Sequence, residues 1–510
     1  MKNRLLEKWE NNPLQLILVA AALLRLLAAI FSKGFGMHDD HFLVLEPAQS
    51  WVDGYDYNRW LPGGKSDAVP SGHSFFYAGI HYLILLFFKS AGIIDPQMKM
   101  FIIRLLHGAF SLITVYFGYK IARLMTDKNT AAVTGLILTV LWFFPMLSVR
   151  NLVEVVCIPF LIYGTWIVLK NLKNPKPWLS YLTAGLIIGL AFSVRFQILF
   201  FAFGLGLALL LKGNWKESLV FGAGFFLSAG LVQGSLDYFV WGKPFMEFRE
   251  YVRYNIEASG SYIANAWYTY ILLLLGILIP PVSLFIFFGF FRYWRKHLIL
   301  FLPAFIFFLF HSLFPNKQER FILPVVPFII ISGIAGWQQF VSGRTWFVRH
   351  KKVISITWIF FWVLNMVLLF PVTVMYSKKA RVESMTYLSR YPEIKTILIE
   401  NSNRGEVQMT PIFYLGQRVY DFGVTDKSGP EMLPQHARTN PRHQPRFFLF
   451  FETQNLEMRV ENMRKVFPNI EYETTIEPGM IDRILCWLNP VNRNQTIIVY
   501  RNRDFYPQKL

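Results

Sequence analysis

Long apolar stretches recur through most of this sequence and constrain its fold more than any other feature. They lie at about 14–31, 74–92, 100–123, 130–146, 151–169, 178–195, 197–211, 217–236, 267–291, 298–314, 321–340 and 352–375. A helix needs about 17–25 mainly apolar residues to cross a bilayer. Of the 510 residues, 54% are hydrophobic and 16% are charged, whereas soluble domains usually carry about 25% charged residues. The sequence therefore predicts an α-helical polytopic membrane protein.

The basic residues between these stretches predict which way the chain is oriented. If every stretch crossed the membrane, the basic loops at 170–176, 212–216, 292–296 and 344–352 would face outward. Leaving out the stretch 74–92 places all four in the cytoplasm, where short loops are rich in Lys and Arg. We therefore predict about eleven transmembrane helices, plus an outer re-entrant or juxtamembrane hairpin. This pattern also accounts for the formal charge of +19 without nucleic acid as a partner.

The composition changes after Tyr376, where charged residues become frequent. Strand-like runs at 396–400, 446–451 and 495–500 alternate with a helical run at 456–466. The sequence thus predicts a transmembrane domain at 1–376 and a small soluble α/β domain at 377–510. The crossing count places this second domain outside the cytoplasm.

Two adjacent carboxylates, Asp39 and Asp40, follow the first apolar stretch closely. Acids at a membrane boundary are costly unless they face water or a polar cavity. One carboxylate can act as a base toward an acceptor hydroxyl while its neighbour orients it. A solvated loop pair or a helix N-cap is the alternative. A divalent metal is possible but not indicated, because the pair lacks further spaced ligands. Asp39 and Asp40 are thus candidate catalytic residues, and we predict neither a metal site nor a required cofactor.

Several basic residues at the ends of apolar stretches are candidates for binding phosphate. Lys317 and Arg320 lie in a charged turn, where Arg offers a planar fork and Lys a point charge to phosphate oxygens. An ordinary polar loop is the alternative. For Arg150 and Arg195, the alternative is snorkelling to the interface. Glu154, inside an apolar stretch, needs a partner, and Arg150 is predicted to lie on the same helical face.

The segment 245–270 mixes aromatic, amide and basic side chains. Asn255, Tyr262 and Trp267 are candidates for binding a sugar, because flat aromatic rings and amides suit that ligand. An interfacial aromatic belt is the alternative interpretation.

Together these segments resemble the polyprenyl-phosphate-sugar-dependent glycosyltransferases of the GT-C superfamily, above all the mannosyltransferases of GPI-anchor and N-glycan precursor synthesis. Met37-His38-Asp39-Asp40 and Glu46-Pro47-Ala48-Gln49 match the family's His-Pro-Asp-Glu and Glu-x-Ala-His motifs. Asn316-Lys317-Gln318-Glu319-Arg320-Phe321 matches its His-Lys-Glu-x-Arg-Phe motif, with Asn316 and Gln318 as departures. Asn151-x-x-Glu154, Arg195 and the segment 248–270 are also similar to family positions. The C-terminal domain is more like that of bacterial members.

The resemblance implies transfer of a hexose, mannose above all, from a polyprenyl-phosphate carrier to an acceptor hydroxyl, with inversion. The acceptor would be a glycan, a glycolipid or a protein. Asp39 would be the general base and Asp40 a supporting residue. Lys317, Arg320 and Arg195 would bind the donor phosphate. Substrate binding would fall to Arg150, Glu154, Asn255, Tyr262 and Trp267.

The bacterial type of tail implies an inner-membrane protein with its active site and C-terminal domain facing the periplasm. A lipid-linked sugar flippase or transporter is an alternative function. Transporters usually show inverted repeats and polar residues near the membrane midplane. Here the polar segments cluster at one predicted face and no repeat is visible, which favours an enzyme. A GT-C transferase that acts on protein or on lipid A remains a further alternative.

Overall fold

The computed structural model describes residues 7, 9–63, 69–172, 178–258, 265–489 and 496–509. The chain forms two compact units. The first comprises Met1–Ile30, Asp56–Ile80 and Ile103–Val374, and the second comprises Phe31–Tyr55, His81–Ile102 and Met375–Leu510. The division into domains 1–376 and 377–510 stays a prediction.

Helices make up most of the chain before residue 374. The helices before residue 173 are α1 (Pro13–Phe31), α2 (Asp39–Phe42), α3 (Leu45–Val52), α4 (Phe75–Ser90), α5 (Pro96–Met125), α6 (Lys128–Val140), α7 (Phe144–Leu147) and α8 (Val153–Asn171). They are followed by α9 (Leu179–Val194), α10 (Ile198–Leu211), α11 (Trp215–Ala229), α12 (Ser235–Trp241), α13 (Met246–Glu257), α14 (Thr269–Ile277), α15 (Val282–Arg292), α16 (Leu298–Leu313), α17 (Val326–Val341), α18 (Thr345–Arg349) and α19 (Lys351–Thr373). A π-helical turn, Gly230–Gly234, joins α11 to α12, and a 3-10 segment, Glu319–Val325, leads into α17.

Six helices among the described residues are long and apolar enough to cross a membrane. They are Pro13–Phe31, Pro96–Met125, Val153–Asn171, Trp215–Trp241, Glu319–Val341 and Lys351–Thr373. Shorter apolar helices are Phe75–Ser90, Leu179–Val194, Ile198–Leu211, Val282–Arg292 and Leu298–Leu313. The predicted class, a helical membrane protein with a small C-terminal α/β part, is confirmed. The count of about eleven crossings and the re-entrant hairpin stay predictions.

Two breaks between helices follow directly from the local sequence. The apolar stretch 267–291, predicted as one segment, forms two helices, α14 and α15. Pro280 and Pro281 lie at this break. Proline lacks an N–H and disfavours helical backbone in the residue before it, so the helix is interrupted here. The separate apolar stretches 178–195 and 197–211 form α9 and α10, and Arg195 between them has an extended backbone.

Glycines allow some of these helices to pack closely. A Cβ atom on Gly289 of α15 would overlap the carbonyl oxygen of Gly333 on α17, and one on Gly336 would overlap the carbonyl oxygen of Gly289. Small residues at such crossings let helix backbones approach and gain van der Waals contact within a membrane. A larger side chain here would push the two helices apart.

The second unit contains a five-stranded sheet with the order β2-β1-β3-β5-β4. The strands are β1 (Thr396–Asn401), β2 (Tyr420–Thr425), β3 (Phe447–Phe451), β4 (Ile470–Ile476) and β5 (Ile497–Asn502). β1 pairs in parallel with β2 and β3, whereas β5 pairs antiparallel with β3 and β4. The helices after residue 374 are α20 (Lys379–Leu388), α21 (Gln435–Thr439), α22 (Leu456–Arg464) and α23 (Met480–Leu488).

The centre of this sheet forms the apolar core of the second unit. All five residues of β3 are buried, as expected for a central strand covered on both faces. A buried ion pair joins the sheet to α22, where Arg459 Nε donates to Glu400 Oε2 at 2.7 Å. The predicted strands near 396–400 and 446–451 and the helical run near 456–466 correspond to β1, β3 and α22.

Candidate active site

The two adjacent acids at the start of α2 have different environments. The Asp40 side chain is buried, and its Oδ2 and Oδ1 accept the N–H groups of Gly36 and Met37 at 3.0 and 3.1 Å. This carboxylate therefore closes the loop that leads into α2. Asp39 is half-buried at the first position of the same helix. Of the two, Asp39 is the one that a substrate can reach more readily.

A lysine that sequence reasoning missed lies beside this loop. The Lys378 Nζ is 5.2 Å from the centre of the Phe35 ring. Burial above all, together with the charge of Arg381, lowers the pKa of Lys378 to about 8, although Asp40 and Asp482 act in the opposite direction. Its position in a connecting segment gave no periodic signal in the sequence. The second unit thus places a partly desolvated cation near the acidic loop.

His41 and Glu46 anchor the acidic segment inside the second unit. His41 is fully buried, and its Nε2 lies 3.0 Å from Glu46 Oε1. The N–H of Phe413 donates to the two oxygens of Glu46 at 2.9 and 3.1 Å. The His41 ring stacks between Phe35 and Tyr414, with centroid distances of 5.1 and 5.5 Å. These contacts fix the backbone that carries Asp39.

The first unit brings together three of the predicted charged residues. Glu154 lies in the first turn of α8, Arg195 ends α9, and Arg320 lies in the 3-10 segment. The Nη1 of Arg195 pairs with Glu154 Oε1, and Arg320 Nε lies 3.2 Å from the same oxygen. All three side chains are buried. Two guanidinium groups therefore share one carboxylate oxygen.

An aromatic ring and several buried polar atoms surround this Arg195–Glu154–Arg320 cluster. Both guanidinium groups lie over the ring of Phe321, at 5.1 and 5.5 Å from its centre. Among the described residues, Arg195 Nε and Nη2 and Glu154 Oε2 are buried and have no hydrogen-bond partner. Buried charges are costly unless paired. A bound anion with several oxygens, such as a phosphate, would accept hydrogen bonds from Arg195 Nε and Nη2.

Lys317 closes the turn between α16 and the 3-10 segment. Its Nζ donates to the carbonyl oxygens of Asn265 and Phe314 at 2.9 and 2.6 Å. An ammonium group has three donors, so one remains for a ligand. Desolvation lowers the pKa of Lys317. The hydroxyl of Tyr270 donates to the carbonyl oxygen of Gln318 at 3.0 Å and holds the same turn.

One sequence-based pairing needs correction. Helix α8 begins at Val153, so Arg150 precedes the helix and does not lie on a helical face with Glu154. The ion-pair partners of Glu154 are instead Arg195 and Arg320, from segments distant in sequence. Arg150 is itself buried. Its role in substrate binding stays a prediction.

Of the remaining predicted substrate-binding residues, the structure describes Asn255 and Trp267. The Asn255 Nδ2 donates to the Tyr251 carbonyl oxygen one turn earlier in α13, at 2.8 Å. Trp267 is 62% exposed and contacts Tyr268 edge-on. Tyr262 lies outside the described residues. Their roles in substrate binding stay predictions.

Sequence reasoning also missed a buried polar network in the first unit. Gln233, in the π-helical turn, donates through Nε2 to Asp237 Oδ1 and Glu247 Oε2, both at 2.8 Å. The N–H of Phe75, the first residue of α4, donates to Glu247 Oε2 at 3.0 Å. Burial and the negative charge of Asp237 raise the pKa of Glu247 to about 8. This network fixes the start of α4 against α13, and an acid directly after the apolar stretch 217–236, Asp237, was its signal in the sequence.

In the part of the chain that the structure describes, no group of three or more His, Cys, Asp or Glu side chains could hold a metal ion. The prediction that neither a metal nor a cofactor is required stays a prediction.

Comparison with known families decides the class of protein. The sequence model of the Alg9-like mannosyltransferase family matches residues 16–423. The chain belongs to the Alg9-like mannosyltransferase family. This membership confirms the prediction of a glycosyltransferase and the resemblance on which it rested. A search with this Alg9-like sequence among curated proteins finds no match.

Solved structures similar to this Alg9-like protein show its fold. ArnT from Cupriavidus metallidurans bound to undecaprenyl phosphate has a TM-score of 0.61 at 12% identity, covering 95% of this chain and 97% of that chain. The same enzyme in the apo state has a TM-score of 0.57 at 13% identity, with the same coverage of both chains. The apo oligosaccharyltransferase of Archaeoglobus fulgidus has a TM-score of 0.48 at 11% identity, covering 92% and 74% of the two chains.

The likeness to ArnT confirms the predicted GT-C fold, and at such low identity it shows the fold alone. Together with the six membrane-length helices, it confirms an integral membrane protein. The Alg9-like chain is thus a membrane glycosyltransferase. Its inner-membrane location and the side on which it acts stay predictions.

Proposed function

We propose that this protein transfers mannose from a polyprenyl-phosphate carrier to an acceptor hydroxyl, with inversion, on the periplasmic face of a bacterial inner membrane. The observation that carries the proposal is the buried Arg195–Glu154–Arg320 cluster, in which one carboxylate serves two guanidinium groups. Such a cluster suits a ligand on which negative charge grows during the reaction.

The chemistry of the donor explains why two guanidinium groups at one place are useful. A polyprenyl-phosphate sugar is a phosphodiester with one negative charge. When the bond between the anomeric carbon and the phosphate oxygen breaks, the carrier leaves as a monoester that gains a second charge. Arg195 and Arg320, already buried and oriented, would stabilise that charge without reorganisation of solvent. Lys317 would supply a further donor to the same phosphate.

We assign the general base to Asp39. Its carboxylate would take the proton of the acceptor hydroxyl as that oxygen attacks the anomeric carbon from the side opposite the phosphate. Asp40 would support this role by holding the loop, since its own carboxylate already accepts two backbone N–H groups. The His41–Glu46 pair would keep the segment in place.

No metal or other cofactor enters this scheme. A phosphate monoester is already a good leaving group, and the arginines supply the positive charge that a divalent ion would otherwise bring. ArnT, of the same fold, is known bound to undecaprenyl phosphate, which supports a carrier of this class. For the acceptor we keep a glycan, a glycolipid including lipid A, or a protein. Arg150, Asn255, Tyr262 and Trp267 are the residues we assign to binding the sugar or acceptor.

The experiment that tests the proposal uses the full-length protein in nanodiscs with radiolabelled polyprenyl-phosphate mannose. Polyprenyl-phosphate glucose and aminoarabinose serve as competing donors, with a lipid extract and a protein extract as acceptors. We expect labelled mannose in a product whose anomeric configuration is opposite to that of the donor, formed equally well in EDTA. Transfer of another sugar, retention of configuration, or movement of the intact carrier between leaflets without transfer would contradict the proposal.

A further inference from the structure

Helix α23 of the second unit presents an unusual surface to its surroundings. Four of its nine residues are large, apolar and exposed: Met480 by 73%, Ile484 by 45%, Trp487 by 80% and Leu488 by 65%. Single exposed apolar residues are normal on proteins, whereas a contiguous apolar strip indicates a contact surface.

The spacing of these residues places them on one side of the helix. Successive residues of an α-helix are about 100° apart, so positions 480, 484, 487 and 488 fall within an arc of about 100°. Asp482 projects from the opposite side and is buried. The helix is therefore amphipathic with its apolar strip turned outward, the reverse of a helix that packs on its own core.

Asp482 bonds α23 to the segment that follows the last apolar helix, α19. Its two carboxylate oxygens accept the N–H groups of Lys378 and Lys379, each at 3.0 Å. Lys378 follows Thr373, the last residue of α19, by only five residues. Five residues span at most about 18 Å even when fully extended. The first turn of α23 is thus bonded to a segment that follows the end of a membrane-length helix by only five residues.

The exposure of α19 supports the assignment of a bilayer there. Its apolar side chains remain outward near its C-terminal end, with Val367 63% and Phe370 65% exposed. Such side chains contact lipid when the helix crosses a membrane. The chain between Phe370 and Lys378 then passes through the headgroup region, where tryptophan is enriched.

We infer that α23 lies in the headgroup region of the bilayer, with Met480, Ile484, Trp487 and Leu488 inserted toward the acyl chains. The second unit then binds the lipid surface directly through a short interfacial helix. Arg483, exposed beside the strip and paired with Glu477, lies where it can meet lipid phosphates. This contact is independent of the proposed catalytic function.

The test measures the surroundings of single side chains on α23 in the full-length protein. Cys486 is replaced by Ser, and Cys157 is buried and does not react. Ile484→Cys and Trp487→Cys then carry a nitroxide spin label in nanodiscs of phosphatidylethanolamine and phosphatidylglycerol. Power saturation with oxygen, which partitions into lipid, is compared with saturation by a water-soluble nickel chelate. Met458→Cys on α22, at a site 56% exposed, is the matched control.

We expect labels at 484 and 487 to be accessible to oxygen and at least fivefold less accessible to nickel than the label at 458. Equal nickel accessibility at 484, 487 and 458 would show that the strip faces water and would overturn the inference. Protection from both reagents would also overturn it, because it would indicate a protein occupant such as a second copy. A circular dichroism spectrum and a melting temperature confirm that each variant is folded.

Discussion

Arg320 Nε lies 3.2 Å from Glu154 Oε1, the same oxygen that Arg195 pairs with. The carboxylate thus holds two guanidinium groups together. A phosphate ligand would accept hydrogen bonds from the buried Nε and Nη2 of Arg195. Several consequences of this arrangement can be measured.

Glu154→Gln should destabilise the free protein and strengthen its response to a phosphate ligand. Removing the acid from a buried pair leaves uncompensated charge and typically costs about 3–5 kcal/mol. Undecaprenyl phosphate would restore negative charge, so its stabilising shift in melting temperature should be larger in the variant than in the wild type. Glu250→Gln, which alters a partly buried acid whose partner Arg253 is exposed, is the control and should change neither quantity appreciably. An equal shift in all three proteins would argue against an anion at this cluster.

Replacing either arginine of the cluster should reduce turnover. Arg195→Met and Arg320→Met remove a buried donor to the leaving phosphate, and the expected loss in kcat is roughly 10²–10³-fold. Arg195→Lys should recover part of the rate, because it restores charge without the planar fork. The matched control is Arg253→Met, since Arg253 is exposed. The measurement is the rate of transfer at saturating donor. An unchanged kcat in both Met variants would contradict the role of the two arginines in stabilising the leaving phosphate.

Asp40→Asn should lower stability as well as activity. The Asp40 carboxylate accepts two backbone N–H groups, and the amide that replaces it offers one oxygen. Hydrogen bonds to charged groups contribute about 1.5–3 kcal/mol each. We expect a lower melting temperature. The rate of transfer should fall for two reasons: a smaller fraction of the protein is folded, and the loop that carries Asp39 is less well positioned in the folded molecules. A fully stable but inactive Asp40→Asn variant would instead make Asp40 a candidate base.

The Glu247 network predicts a pH dependence of stability. Burial and the Asp237 charge raise the pKa of Glu247 from 4.5 to about 8. The native carboxyl therefore keeps its proton where the unfolded one has lost it, and stability falls as pH rises from about 4.5 to 8. Glu247→Gln should flatten the melting temperature over this range relative to the wild type. Glu250→Gln on the same helix should show the same dependence of melting temperature on pH as the wild type. If Glu247→Gln showed that same dependence, the assignment of the pH effect to Glu247 would be contradicted.

The broad architecture could be predicted because it rests on local signals. Apolar length marked the membrane helices, and apolar runs such as 446–451 marked the central strands. β2 and β4 were missed because they are edge strands in which polar residues interrupt the apolar ones, and only one residue of β2 and two of β4 are buried. The break at Pro280 was overlooked although proline is itself a strong local signal.

The sequence predicted which residues are candidates for the site, but it did not predict which of them pair with each other. Glu154 was noticed because an acid in an apolar stretch needs a partner, yet local spacing selected Arg150 as that partner. The partners observed come from the ends of other helices, and only tertiary structure brings them together. Lys378 and the Gln233–Glu247 contact went unnoticed for the same reason. The difference between Asp39 and Asp40 arises from backbone N–H groups, which a sequence does not reveal.

The central claim is that Asp39 is the base for transfer, and the most direct test is turnover by Asp39→Asn in nanodiscs with polyprenyl-phosphate mannose. The control is Asp53→Asn, which alters an exposed acid just after α3 in the same unit. We predict that Asp39→Asn keeps the wild-type melting temperature and loses at least 10²-fold in rate, while Asp53→Asn stays fully active. Wild-type turnover in Asp39→Asn would contradict the claim.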